Sequence, residues 1–257
     1  MKEIFRTIIK FLAKSNIFYK LSRKIIDFHD SLNNCELETN GEGSFINRNI
    51  LNFDTIFDVG ANVGEWSLLI NRLKPEAKVF SFEPVASTYE ILKKQQYNEN
   101  VFPQNCALGE TIGVVDFFLY GDDSTLNTAH NRSARMLAPG KIEKVNIDTV
   151  DNFCEKNKIK KLDFLKIDTE GYELSVLKGS AWMLKNKAIN VVQFEYGGTY
   201  IDAKILLKDV FEFLMNFGYE IYKIYPKHVK KILKYSQTLE NFQYSNYLAV
   251  VPGFKVN

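Results

Sequence analysis

The sequence predicts a doubly wound α/β fold, on three observations: short β-branched and aromatic runs, stretches of helical period between them, and a glycine-rich turn directly after the first run. The runs cover residues 55–59, 78–82, 101–106, 163–167 and 190–194, and the helical stretches include 66–73, 88–95 and 174–184. Alternation of this kind places a mostly parallel sheet between layers of helices. After the helical stretch 205–217 the rhythm changes. Runs 219–225 and 244–251 flank a segment with Pro226 and several lysines but no long helix, which suits two antiparallel neighbours. It breaks as well between Gly113 and Ile147, where 114–120 and 142–147 read as strands joined by the polar stretch 121–140. Long loops in compact domains are usually functional or disordered. Asp122, Asp123, Ser124, Thr125, Asn127, His130 and Arg132 make this one a candidate substrate-side lid.

Residues 1–50 read as a helical extension and linker ahead of a main domain over 51–257. Between Met1 and Ile26, Lys2, Arg6, Lys10, Lys14, Lys20, Arg23 and Lys24 face a single acid, Glu3, and Ile4, Ile8, Phe11 and Leu12 recur at helical spacing. A basic amphipathic helix can lie on an anionic membrane surface. The same pattern also suits a stripe packed on the main domain with its lysines in water, which is the commoner meaning of helix amphipathicity. Around residues 33–49 the chain is polar, carries Gly41 and Gly43, and reads as a connection.

A chain of 257 residues with 46% hydrophobic content can bury one large core. The net charge of +2 gives no global sign of a nucleic-acid partner. No basic stripe interleaved with aromatics appears on the main domain, so nucleic acid is not expected as a ligand. Cys35, Cys106 and Cys154 are odd in number and form no CxxC pair, which argues against a disulfide framework or a zinc site and fits a reducing compartment. No run approaches the roughly 18 apolar residues that span a bilayer, and the N-terminus shows no small-residue cleavage site. The expected location is cytoplasmic, with peripheral contact at the inner face of the membrane as the reading the basic helix adds.

The segment Ile56-Phe-Asp-Val-Gly-Ala-Asn-Val-Gly-Glu-Trp-Ser67 is a buried strand, a turn with two glycines and a helix start. Crevices beyond such strands hold ligands in doubly wound sheets. Asn62 stands where a dinucleotide fingerprint needs its second glycine, which argues against NAD, and no GxxxxGK[ST] cradle for a triphosphate is present. An adenosine ligand without phosphates needs room for a compact amino-acid moiety beside Gly60 and Gly64. It also needs a carboxylate near its ammonium or sulfonium charge, which Asp58 can supply. Glu83 ends the second run 19 residues beyond Gly64, close to the spacing at which a strand-end acid meets a ribose diol. The bland alternative has Asp58 and Glu83 capping helices; strand, turn and acid in register favour the ligand.

Together, Asp58-Val-Gly-Ala-Asn-Val-Gly64, Phe82-Glu83-Pro84, Asn105-Cys-Ala-Leu-Gly109 and Leu165-Lys-Ile-Asp-Thr-Glu-Gly-Tyr-Glu173 make the chain resemble the FkbM-type S-adenosylmethionine-dependent methyltransferases. The resemblance covers roughly residues 54–195, and Lys-Ile-Asp-x-Glu-Gly is its most specific part. It implies a Rossmann-like sheet of seven strands with a final antiparallel hairpin, and O-methylation of glycans or other bacterial secondary products. It further implies that Asp58, Gly60, Asn62, Gly64 and Glu83 line the cofactor, with Asn105 and Ala107 near adenine. A lipid-linked or polyketide-like acceptor at the membrane surface, which the basic N-terminal helix would favour, and a module that binds the cofactor without catalysis are the alternative readings.

An alcohol acceptor must lose a proton during methyl transfer. Asp168, Glu170 and Glu195 fall at or just beyond the ends of two runs expected to be neighbours, so they open onto one rim. A carboxylate there can act as general base, the set can hold a divalent cation, or the acids can cap helices. Spacing alone assigns no metal ligand. Lys166, inside a buried run, is costly unless paired with one of these acids. His130 is the histidine of the broken region; loop exposure is its ordinary state and a base role the secondary reading. Tyr196-Gly197-Gly198-Thr199-Tyr200 suits either an acceptor pocket or a plain strand-to-helix turn.

Overall fold

The computed structural model describes residues 2–120, 127–130 and 140–257, with the backbone alone at residues 2, 5 and 8. The candidate lid residues Asp122, Asp123, Ser124, Thr125 and Arg132 therefore lie outside the described residues.

The main sheet is centred on β1 (Thr55–Val59), which pairs in parallel with β2 (Lys78–Phe82) on one side and β7 (Leu162–Ile167) on the other. Beyond β2 lies β3 (Val101–Gln104), and beyond β7 lies β8 (Ile189–Tyr196), both parallel. The far edge is antiparallel. There β11 (Ser245–Val250) inserts between β8 and β9 (Glu220–Ile224), and β10 (Val229–Ile232) pairs with β9. Because the chain first builds outward from β1 to β3 and then returns to β7, the strand order reverses between β1 and β7. That switch point is where doubly wound sheets open a crevice.

Successive residues of a strand serve opposite faces. On one face Phe57, Phe82, Leu165 and Val192 pack with Phe153 of α6 (Val150–Lys156), Leu177 of α7 (Glu173–Lys178) and Leu214 of α10 (Leu207–Asn216). On the other, Ile56, Val79, Phe164 and Val191 meet Trp66 and Ile70 of α4 (Glu65–Leu73) and Phe45 and Ile46 of α3 (Glu42–Asn49). Burial on both faces is why β7 reads as a mostly apolar run, broken by Asp163 and Lys166.

The doubly wound architecture matches the sequence expectation, and 219–225 and 244–251 are antiparallel neighbours as expected. Among the described residues the sheet has eight strands where the resemblance implied seven. The additional one, β10, lies in the lysine-rich segment after Pro226, a short charged edge strand of the kind that resists further pairing. Run 101–106 ends early, β3 stopping at Gln104, and just beyond the run β4 (Ala107–Leu108) joins β6 (Lys141–Asp148) and β5 (Gly113–Leu119) in a second sheet. Helical stretch 174–184 splits into α7 and α8 (Ala181–Lys185) at Gly179, where a Cβ would sit 1.8 Å from the Gly109 carbonyl oxygen.

The N-terminal helices do not pack as the commoner reading of their stripe would have it. On α1 (Lys2–Leu12) Ile4, Ile9 and Phe11 are exposed, and α2 (Asn16–Asp30) buries no residue. By contrast, the polar stretch read as a connection contains α3, whose Phe45 and Ile46 are fully buried.

Candidate active site

The turn after β1 is held against the ends of two strands. Gly60 and Ala61 N–H donate to Phe82 O, and Asp168 N–H donates to Val59 O at 2.9 Å. Gly60 has φ 82°, and a Cβ there would lie 1.8 Å from the Asp168 carbonyl oxygen, so only glycine lets this turn lie across the end of β7. Asn62 adopts the left-handed region that asparagine tolerates. Its N–H donates to Glu83 Oε2 at 3.1 Å, and Val85 N–H donates to Glu83 Oε1 at 2.9 Å. Gly64 precedes α4, its carbonyl accepting from the Tyr97 hydroxyl at 3.2 Å.

A cavity of about 380 Å³ opens here. Its wall includes Gly60, Asn62 and Glu83, apolar Ala107, Leu108, Val115 and Phe117, and the carboxylates Asp168, Glu170 and Glu195. Burial pushes the Glu83 pKa up to about 7, against the pull of its bonds from Val85 and Asn62. A carboxylate offers about four acceptor positions. The two backbone bonds leave Glu83 capacity for a ligand.

Asp58 sits deeper than its neighbours. Fully buried, it accepts from Ser67 Oγ at 2.7 Å, faces Lys166 Nζ at 3.6 Å, and is not among the cavity-lining residues. Burial raises its pKa, with Lys166 and Ser67 opposing. Asn105 Nδ2 donates to the Glu83 and Pro84 carbonyls, each at 3.0 Å, tying the segment after β3 to the end of β2. Ala107 reaches the cavity wall; Asn105 is not among its lining residues.

Lys166 pairs as a buried lysine must. Its Nζ lies 2.9 Å from Asp168 Oδ2 and 5.7 Å from the Trp66 ring centroid. Burial disfavours the ammonium, yet Asp168, Asp58 and Glu42 outweigh it and hold its pKa above the ordinary lysine value. Oxygens of Asp168, Glu170 and Glu195 lie within 4.8 Å of one another. Burial and the charges of Asp168 and Glu170 push Glu195 well up. Although burial opposes it, Lys166 and a hydrogen bond from Glu195 hold Asp168 low. The two shifts run in opposite directions, so within the pair Glu195 is the better holder of a proton and Asp168 the more readily ionised carboxylate.

The turn that carries Glu170 is fastened from beneath by Glu173, which accepts from Thr169 N–H at 2.9 Å, Thr169 Oγ1 at 3.1 Å and Gly171 N–H at 3.2 Å. Burial lifts the Glu173 pKa to about 7. Thr128 Oγ1 donates to Glu170 O at 2.9 Å, so the described part of the 121–140 stretch is fixed to this rim. His130 lies beside Tyr172, its Nε2 3.2 Å from the Gly171 carbonyl, and is not among the cavity-lining residues. Tyr196 and Tyr200 are fully buried in the core, which makes their glycine-containing segment a strand-to-helix turn and not a wall of the cavity.

Four contributors were not anticipated. Cys35 and Tyr244 line the cavity, brought there when Asn33 N–H donates to Tyr244 O at 2.9 Å. Glu42 of α3, buried, accepts from Asn40 at 2.9 Å, Asn246 at 3.0 Å and Gln193, and so places a further acid near Lys166. Glu173 carried a local signal, an acid in the first turn of a helix.

Residues 58–221 match the family model described as the methyltransferase FkbM domain. Methyltransferase sdnD of Sordaria araneosa is 28% identical over 186 residues, covering 60% of this chain and 71% of its own length. The hexuronic acid methyltransferase AglP of Haloferax volcanii is 28% identical over 160 residues, covering 61% of this chain; the chain spans 62% of that protein. The solved FkbM methyltransferase of Methylobacillus flagellatus superposes at a TM-score of 0.49 with 14% identity, over 77% of this chain and 44% of that one. The family match takes in the turn after β1, the end of β2, and the rim that holds Asp168, Glu170 and Glu195, over more than half of the sequence. The chain is a methyltransferase and belongs to the FkbM methyltransferase domain family.

Proposed function

We propose that this protein transfers a methyl group from S-adenosylmethionine to a hydroxyl of a glycan, sugar nucleotide or related metabolite. The observation that carries the reading is the set of Asp168, Glu170 and Glu195 carboxylates, their oxygens within 4.8 Å of one another, on the same cavity wall as Glu83. The chain's residues fit the cofactor. Glu83 has acceptor capacity left for two ribose hydroxyls, Gly60 keeps a Cβ out of the cradle, and Ala107, Leu108 and Phe117 offer an apolar surface for a flat base. When bound, S-adenosylmethionine supplies a sulfonium methyl open to in-line displacement.

The protein's part is alignment and proton transfer. Asp168, ionised and held in place by Lys166 and Glu195, accepts the hydroxyl proton as the acceptor oxygen attacks. Between base and cation, the base reading is favoured because the Lys166 ammonium already neutralises Asp168 at 2.9 Å. A divalent ion on the same oxygens would face that ammonium.

The test is transfer of labelled methyl from S-adenosylmethionine into a panel of sugar nucleotides and oligosaccharides, followed by mild alkali. A methyl ether survives and supports the reading. Label released as methanol would place the methyl on a carboxylate and sink the hydroxyl assignment.

Glu83→Gln is expected to weaken S-adenosylhomocysteine binding by on the order of ten- to a hundredfold, the worth of hydrogen bonds to a charged group. Calorimetry reads it, and unchanged affinity removes Glu83 from the ribose. Because bound hydroxyls favour the ionised carboxylate, wild-type affinity should rise with pH through about 7 and then level. The stability of the free protein runs the other way. A folded pKa raised above the usual glutamate value gives stabilisation that is complete at acid pH and is lost as pH rises through about 7.

A further inference from the structure

Neither the fold nor the cavity accounts for the surface of α1 and α2, and we infer that these helices form an arm that docks on an anionic lipid bilayer. On α2, Ile17, Phe18, Leu21, Ile25 and Phe28 share a stripe about 100° wide at 3.6 residues per turn. Ile17 is 78% exposed and Phe28 91%, and Phe11 of α1 is 77% exposed. The hydrogen bonds of the helices are local, such as Thr7 to Glu3 and Ser22 to Tyr19. Among the described residues, hydrogen bonds to the main body begin at Asn33.

Charge selects the occupant. Residues 1–30 hold seven basic and three acidic side chains, a net +4, while the rest of the chain is net −2. Lys20 and Lys24 border the apolar stripe of α2. A second copy packing on this face would bring like charges together. An anionic headgroup layer takes the ammonium and guanidinium groups while its acyl boundary takes the apolar face. Helices of 11 and 15 residues lie on such a surface; none of the described helices is long and apolar enough to cross it.

The arm ends at the cavity. Asn33 N–H bonds Tyr244 O at 2.9 Å and its Nδ2 bonds Gln243 Oε1 at 2.8 Å, and Tyr244 and Cys35 both line the wall. Resting on the methyl-transfer reading of that cavity, a docked arm holds the acceptor site next to the bilayer, which suits an acceptor carried on a lipid.

Flotation of the full chain tests the docking without cofactor or acceptor, so its failure leaves the methyl-transfer reading standing. The protein should float with phosphatidylcholine vesicles containing phosphatidylglycerol and, by on the order of tenfold or more, less with phosphatidylcholine alone. Raised salt or Lys20→Glu with Lys24→Glu should remove it to a similar extent. Leu21→Glu with Phe28→Glu should abolish it on either vesicle, with an unchanged melting temperature showing that the main body is folded. Equal flotation on both vesicles, or none, overturns the proposal. So does a dimer in sedimentation that Leu21→Glu with Phe28→Glu dissociates, which would give the face to a second copy.

Discussion

Replacing Asp168 with Asn will lower turnover by on the order of 10²–10⁴, the usual worth of a positioned general base, while S-adenosylhomocysteine affinity stays within about threefold. Asparagine keeps the size of the side chain and removes only its charge. The backbone contacts at this position are indifferent to the change, since Asp168 N–H bonds Val59 O and the Asp168 carbonyl is what excludes a side chain at Gly60. Lys166 keeps Asp58 at 3.6 Å and Glu42 nearby, so its ammonium stays compensated. Single-turnover rates beside calorimetric affinities separate the two effects. Wild-type turnover would remove Asp168 from the chemistry, and an affinity loss as large as the rate loss would make it a cofactor residue. Glu195→Gln is the companion measurement. In the wild type the rate should fall as alkali removes the Glu195 proton, whose pKa burial and the charges of Asp168 and Glu170 raise. Glutamine keeps an N–H for Asp168 at every pH, so its alkaline limb should be flat.

The parts of the fold that were legible are those that obey local rules. A parallel strand covered on both faces shows as a short, mostly β-branched and aromatic run, and β1 and β2 have the bounds the pattern indicates. The break at Gly179 was hidden because the apolar period continues in phase across it. At that point the Gly109 carbonyl, contributed by a distant segment, lies where a side chain on residue 179 would have to sit. The edge strand β10 was hidden for another reason, since Val229-Lys-Lys-Ile232 is set by pairing with β9 and not by its own pattern. In the site, strand-end positions brought Gly60, Asn62, Glu83, Asp168, Glu170 and Glu195 onto one cavity. Depth was not legible. Asp58 is buried by Ser67, Ser81 and Lys166 from three other elements, and Glu42 reaches Lys166 through a stretch that reads as a polar connection. Amphipathic spacing marked an apolar face on α1, yet spacing carries no information on what covers such a face.

The second large effect is on stability. Lys166→Met should destabilise the protein by about 3–5 kcal/mol at neutral pH, the cost of removing one partner from a buried ion pair, out of a total typically about 5–15 kcal/mol. Methionine is close to lysine in length and can pack on Trp66, so the loss is electrostatic and not a cavity. What remains is Asp58, fully buried, with Oδ1 lacking a hydrogen-bond donor, beside Asp168 and the buried Glu42. The sign with pH follows. Without the ammonium, which had been lowering it, the already raised Asp58 pKa climbs further. Acid neutralises the stranded carboxylate, and the stability gap between variant and wild type should narrow as pH falls. Urea unfolding at acid and neutral pH reads this directly. Lys166→Met with Asp58→Asn should recover much of the loss, because the second change removes the charge the first left uncompensated. A gap that ignores pH, together with a double variant no better than the single, would mean that packing and not charge holds this layer. If the charge account stands, one ammonium supports both the strand beneath the Gly60 turn and the carboxylate on the rim. Cofactor cradle and candidate base would then share a foundation while lying at the ends of different strands.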